Sequence, residues 1–351
     1  MRRFPLVLTA AATLAAAGGL SAQTSISARA ASISFGGRLQ TQYATSSVDS
    51  YNPEFSFRRA RLTADITVTD FFDARFQPEF AGGTAELRDA YVRFKFSPRL
   101  QVSMGQFKRA FDLFELASST DLSLIERDGR VGGVSTCAGV GGVCSYSRFT
   151  EKLGFSDRDQ GIRVQGEEGT VAYEVTMTNG TGANEGEENG GKSYSGRLSV
   201  ELTPALTFSG QYALHDYAKV GDDNSIAAAW SADLQYGTWR DGLLVQAALV
   251  QGDNWKKLDG TGDPSAFMAF QGVASYYAPL SDPRFSGVEP LVRLSYGDPD
   301  TDLNEDGGIV FTPGVMFYVT GKNKIGANID IWSPQTGDTE YSLKIQSFLY
   351  F

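Results

Sequence analysis

From Ala60 to Val68 every second residue is apolar (Ala60, Leu62, Ala64, Ile66, Val68), and Arg59, Arg61, Thr63, Asp65 and Thr67 stand between them. That period of two is the signature of a strand with one greasy face and one wet face. The segment from Ile33 to Tyr43 repeats it, with Phe35 and Leu39 set against Arg38, Gln40 and Gln42. So does Phe72 to Phe80, with Asp73, Arg75, Gln77 and Glu79 on the wet face, and so does Ala90 to Phe96, with Tyr91, Arg93 and Lys95.

The same template predicts sixteen strands: 32–45, 54–69, 71–81, 86–97, 99–108, 158–167, 169–179, 193–203, 205–217, 225–238, 242–253, 266–278, 287–297, 308–320, 323–333 and 338–351. Most exceed the five or six residues usual in globular sheets and have the length of tilted strands crossing a bilayer. Odd-numbered connections are mostly long, such as 109–157 and 180–192, and even-numbered ones are mostly short, such as Glu167-Glu168, with 278–286 an exception. Alternation of long and short loops belongs to an outer-membrane barrel, with long outer loops and short periplasmic turns. The expected fold is therefore all-β: a single antiparallel transmembrane β-barrel of about sixteen strands.

The chain has 351 residues, a formal net charge of -10, one His and two Cys. The acidic balance argues against a nucleic-acid binder. One His and two Cys give little material for a His- or Cys-based metal site. Arg2 and Arg3 precede an apolar run from Phe4 to Leu20 and then Ser21 and Ala22. This is the order of a secretory signal, with cleavage expected after Ala22 and a later site offered by Ala28-Arg29-Ala30. Residues 1–22 are thus expected to be a signal peptide and 23–351 the barrel. The last run, Tyr341 to Phe351, alternates as a strand and ends on an aromatic, an ending similar to the assembly signal of bacterial outer-membrane barrels.

Parity assigns faces. Arginine at the lipid midplane costs about 2 to 4 kcal/mol, so Arg38, Arg59, Arg61, Arg75, Arg93, Lys95, Arg163, Arg197 and Arg293 are expected to face the lumen. Arg58 breaks the pattern and is expected at the outer rim. From Ser32 to Ala110 there are eleven Lys and Arg against eight Asp and Glu, while the remaining chain is acidic. One wall is therefore basic. Acidic outer loops, such as that with Glu185, Glu187 and Glu188, are expected to meet divalent cations bridging lipopolysaccharide.

Several stretches together resemble the phosphate-selective porin O and P family: EFSFRRARL (Glu54 to Leu62), DAYVRFKF (Asp89 to Phe96), GQFKRAFDLFEL (Gly105 to Leu116), DRDQGIRVQG (Asp157 to Gly166) and TNGTG (Thr178 to Gly182). The resemblance implies a homotrimeric channel in the bacterial outer membrane, an arginine ladder for small anions such as phosphate or polyphosphate, and an inward-folded third outer loop, 109–157, as the constriction. The apolar pieces FDLFEL and DLSLIE in that loop need something to pack on, which the lumen would supply. Lys108, Arg109 and Lys152 become constriction candidates beside the lumen arginines, as do Arg127, Arg130 and Arg148. The lysine cluster of the family's loop has no obvious counterpart here, and inward carboxylates are comparably many. A general, weakly selective pore is therefore the alternative reading.

Cys137 and Cys144 share that loop in an oxidising compartment, so they are expected to form a disulfide. A barrel hydrolase would need a nucleophile with a base in reach, and the single His215 is expected to be a wet, structural or rim residue without one. No cofactor is expected. Asp302, Asn304, Asp306 and Gly307 match half of a calcium loop, but the twelfth position is Pro313, so a structural calcium is secondary to a solvated acidic loop.

Overall fold

The computed structural model describes residues 31–218 and 225–351. The expected signal peptide lies outside the described residues. Sixteen strands close into one antiparallel barrel in chain order, with β1 (Ser32–Ser46) sealed against β16 (Glu340–Tyr350). The others are β2 (Glu54–Thr67), β3 (Phe72–Glu79), β4 (Glu86–Ser97), β5 (Leu100–Lys108), β6 (Arg158–Glu168), β7 (Val171–Thr178), β8 (Ser193–Thr203) and β9 (Leu206–Asp216). They continue as β10 (Ile226–Thr238), β11 (Asp241–Leu258), β12 (Pro264–Pro279), β13 (Gly287–Asp298), β14 (Gly308–Thr320) and β15 (Asn323–Pro334). Residues 98–99, 169–170, 204–205, 239–240 and 321–322 make tight turns at one end, where 68–71 and 280–286 are longer; the long connections gather at the other.

Side-chain parity holds along the strands. On β13, Pro290, Val292 and Leu294 are exposed while Glu289, Leu291, Arg293 and Ser295 are buried. Leu62 on β2 and Ile345 on β16 likewise expose apolar surface, as a lipid-facing band requires. Closure removes both sheet edges, so every strand finds ladder partners on two sides.

The polar faces differ around the circumference. On β9 to β16 they are mostly buried, whereas on β4 they stay half-exposed along almost the whole strand. The difference comes from residues 109–157, which carry two short helices, α1 (Leu113–Leu116) and α2 (Tyr146–Lys152). Their Phe111, Phe114, Ile125, Tyr146, Phe149 and Phe155 join one apolar cluster with Ala213, Val250, Phe267 and Val310 of the strands. Phe149 stacks on Phe267 with centroids 4.9 Å apart. The helices are too short to persist alone. What orders them is this burial, together with Asp112, whose carboxylate caps α1 by accepting from the Phe114 and Glu115 amides.

Candidate functional site

The polar face of β2 is not a simple alternation. The β1–β2 register slips between Gln40 and Thr41, so Gln40 faces Arg59 but Thr41 faces Phe57, leaving Arg58 as the extra residue of a bulge. A bulge sends two consecutive side chains to one face. The expectation that Arg58 sits at the outer rim is therefore corrected. Arg58 Nε donates to Glu126 Oε1 at 2.6 Å, and Arg59 Nη2 lies 3.5 Å from Glu126 Oε2. Arg59 also donates to Gln40 Oε1 at 2.7 Å. Two residues on, Arg61 pairs with Glu79 and stands in register with Arg38 of β1.

Of the cavities that adjoin these arginines, two share Arg61. The first, of about 550 Å³, reaches the short-turn end at Pro98 and Glu167. It is lined by eight Arg and one Lys against three carboxylates. The second, of about 370 Å³, opens toward the long-loop end at Ala81 and Gly82, and in it seven Arg face seven carboxylates. Arg61, Arg127 and Arg158 line both, and so mark the waist between them.

Most of the first cavity's cations are matched. Arg75 grips Asp65 through two bonds of 2.7 and 3.1 Å, and Arg93 grips Asp73 at 3.0 and 2.7 Å with Lys95 3.1 Å from the same carboxylate. Arg197 pairs with Asp233 and Arg158 with Asp89 at 2.7 Å. Arg163 lies 3.7 Å from Glu174, its guanidinium between the rings of Tyr91 and Phe107. Lys108 and Arg127 share Glu115 at 3.3 and 3.4 Å. Arg38 differs. Alone among the cavity's cations, it has no carboxylate within ion-pair distance among the described residues, and it donates instead to Ser119 Oγ at 2.5 Å.

Burial alone would raise the Glu115 carboxyl, but Arg127 and Lys108 outweigh it and hold it at about 2. Glu126, likewise buried, is held well below the ordinary carboxylate range by Arg58 and Arg59. Both are acceptor-only anions. Asp112 is the reverse: burial pushes it up to about 7 against the hydrogen bonds from Thr150 and the α1 amides.

Arg109 does not belong to either cavity. Its side chain is buried, and it donates to the Gly154 and Leu214 carbonyls, pinning the root of the 109–157 connection to β9. Arg293 is also buried, bound to Asp330 at 2.6 Å and to the Glu126 and Arg127 carbonyls at 2.9 Å each. Parity gave Arg293 the correct face, but a covering segment separates it from the cavities. Lys152 pairs with its neighbour Glu151 at 2.8 Å and, with Arg130 and Arg148, lines a third cavity at the long-loop end. Sequence reasoning missed Glu126 and Glu115. Their only signal was their place in the connection, beside Arg127 and Phe114.

Cys137 and Cys144 are bonded, closing a subloop whose Val140 and Gly141 carbonyls accept from Arg148. Asp306 faces Lys257 at 3.9 Å, and no group of three or more His, Cys, Asp or Glu among the described residues could hold a metal ion. His215 sits near the long-loop end of β9 but is neither wet nor at a rim. It is buried, with Nδ1 3.3 Å from both Arg109 Nη1 and Ser193 Oγ.

A closed sixteen-strand barrel with an apolar outer band and a charged interior defines a porin of the bacterial outer membrane. The family model of the phosphate-selective porins O and P matches residues 33–261, and the chain belongs to that family. Solved structures with the same fold include an anion-selective porin from Comamonas acidovorans, with a TM-score of 0.66 at 13% identity over 91% of this chain and 99% of that one. The outer membrane channel DcaP of Acinetobacter baumannii gives 0.60 at 13% identity, and OmpF of Salmonella typhi 0.61 at 10%, each over 91% of this chain and 97% of the other. No curated protein sequence matches this one.

Proposed function

We propose that the barrel is a passive, water-filled channel that favours small anions such as phosphate or polyphosphate, with residues 109–157 folded inward as its constriction. The observation that carries this reading is Arg38. It stands in register beside Arg61, has no carboxylate of its own, and lines a cavity of nine cations against three carboxylates. Like charges directly opposite on neighbouring strands destabilise a sheet unless something neutralises them. Glu79 already neutralises Arg61, which leaves Arg38, whose guanidinium donates to Ser119 Oγ, as the charge a permeating anion would match. Basic groups in a narrow, partly dehydrated passage raise the local concentration of anions, and several weak sites in series allow release.

The inward position of 109–157 is supported by its bonds to the polar faces of distant strands: Tyr146 to Ser231 at 2.8 Å, Ser123 to Glu289 at 2.6 Å and Lys324 to the Leu122 carbonyl. Transport rather than hydrolysis is supported by His215 and Ser193, the one histidine and the hydroxyl beside it, which are both buried and out of a substrate's reach. Homotrimeric assembly and contact of the acidic loops with lipopolysaccharide belong to the same proposal. One solved neighbour, OmpT of Vibrio cholerae, is described in a trimer form.

A general, weakly selective pore is the second reading, favoured by the carboxylates that match Arg75, Arg93, Arg163 and Arg197. Reversal potential across a potassium chloride gradient in a planar bilayer tests the proposal. A potential on the anion side supports it. A potential near zero favours the weakly selective pore, and one on the cation side refutes anion preference.

A further inference from the structure

Glu126 occupies the place of an anion. Its two carboxylate oxygens meet Arg58 and Arg59, the pair that the bulge turns to one face. Two oxygens accepting from guanidinium N–H groups are what a phosphate or carboxylate ligand would offer there. This carboxylate is carried by the protein itself.

Its backbone is braced by strands further round the barrel. Arg293 of β13 donates to the Glu126 and Arg127 carbonyls, Lys344 of β16 donates to the Arg130 carbonyl, and Ser342 Oγ accepts from the Gly132 amide at 2.8 Å. Asp330 of β15 joins Arg293 and Lys344 into one buried unit. Gly129, at φ +63°, allows the close approach: a Cβ there would come within 2.6 Å of the Arg293 guanidinium. The segment's backbone is thus fixed while the Glu126 carboxylate meets Arg58 and Arg59. Glu115 repeats the arrangement on Lys108 and Arg127. The cavity both carboxylates line has as many carboxylates as arginines, whereas cations outnumber carboxylates in the lining of the one beyond the waist, where Arg38 alone has no carboxylate within ion-pair distance among the described residues.

We propose that Glu126 is the resident ligand of the Arg58–Arg59 pair, an internal carboxylate that permeating anions must displace, and that it thereby sets which anions the pore favours. This rests on the anion-channel reading. Displacement favours anions that can replace two carboxylate oxygens at once. A tetrahedral oxyanion such as phosphate competes well and chloride poorly. The same competition keeps the oxyanion from binding so tightly that it stays, which conduction requires.

The test uses the full-length porin in planar bilayers, with inorganic phosphate as the probe against chloride current. Glu126→Gln keeps the shape and removes the competing charge. The phosphate concentration that halves chloride current should fall by about tenfold or more, the worth of one charge-assisted hydrogen bond. Glu126→Asp restores the charge and should return the value toward the parent's. Arg58→Gln with Arg59→Gln, added to Glu126→Gln, should abolish the gain. An anion-selective parent whose blocking concentration is the same in Glu126→Gln overturns the resident-ligand assignment and leaves the channel reading standing. A cation-selective parent overturns the channel reading itself. If Glu126→Gln fails to fold, Arg58→Gln with Arg59→Gln in the otherwise parental pore serves instead, and an unchanged phosphate block in it overturns the assignment equally.

Discussion

Replacing Arg38 by Gln should weaken anion binding in the basic cavity more than removing a whole ion pair from the same wall. Deleting one positive charge lowers the potential felt by an anion whatever that charge's neighbours are. Arg75 and Asp65, however, cancel when they are removed together, as Arg75→Gln with Asp65→Asn. Among the described residues the Arg38 side chain has only Ser119 as hydrogen-bond partner, so its loss subtracts both an uncompensated charge and free guanidinium donors. A hydrogen bond from a charged donor contributes about 1.5 to 3 kcal/mol, which is roughly a tenfold to hundredfold change in the phosphate concentration that blocks half the chloride current. The paired deletion should move it by less than about fivefold, as expected for exposed ion pairs worth about 1 kcal/mol or less. Raising salt should shrink the Arg38 effect, because screening lengths fall to a few ångströms at molar salt. The reasoning is refuted if Arg38→Gln leaves the block unchanged while the paired deletion shifts it.

Arg109→Met should lower resistance to unfolding in detergent, seen as an earlier loss of heat-modifiable migration, yet leave the reversal potential unmoved, because Arg109 holds carbonyls rather than facing a cavity. Gly129→Ala should loosen residues 126–132 by about 1 to 3 kcal/mol, read as faster proteolysis within the 109–157 connection, because φ is +63° and the added carbon meets Arg293. Asp112, held at about 7 against 3.8, binds its proton more tightly when folded; its contribution is fully present below about pH 4 and lost as pH rises through 7. The parent minus Asp112→Asn difference in thermal midpoint should therefore fall from pH 4 to pH 7 and then level off, and a difference that rises over that window would refute the buried-acid account. Reduction should add two hydrogens to the intact mass through Cys137 and Cys144.

Strand positions and faces were legible because a barrel wall imposes a period of two on every crossing, and Val292, Arg293 and Leu294 obey it as plainly as any. Partners were not legible. Parity says that Arg293 points away from lipid, but whether it then meets water or the backbone of Glu126 depends on a connection with no periodicity of its own. Arg58 was misplaced for a related reason: a single-residue slip against β1 changes its face, and nothing in FRRARL marks where the slip falls. The carboxylates at the waist were hidden because an acidic residue in a long loop reads as solvated unless the arginines across the passage are known to be there.

The bracing of residues 109–157 also constrains the order of assembly. Its contacts with Leu214, Ser231, Glu289, Arg293 and Lys344 are made by strands that follow it in the chain, whereas those with Arg38, Ser46, Arg58, Arg59 and Lys108 are made by strands that precede it. Lys344 belongs to the last strand, which also seals the barrel against the first. Contacts so distant along the chain form late, because the entropy of closing the intervening loops is lost before they return anything. The later part of this bracing is therefore completed only as the wall closes, and a barrel stalled short of its final strand would lack the hold of Lys344 on the Arg130 carbonyl.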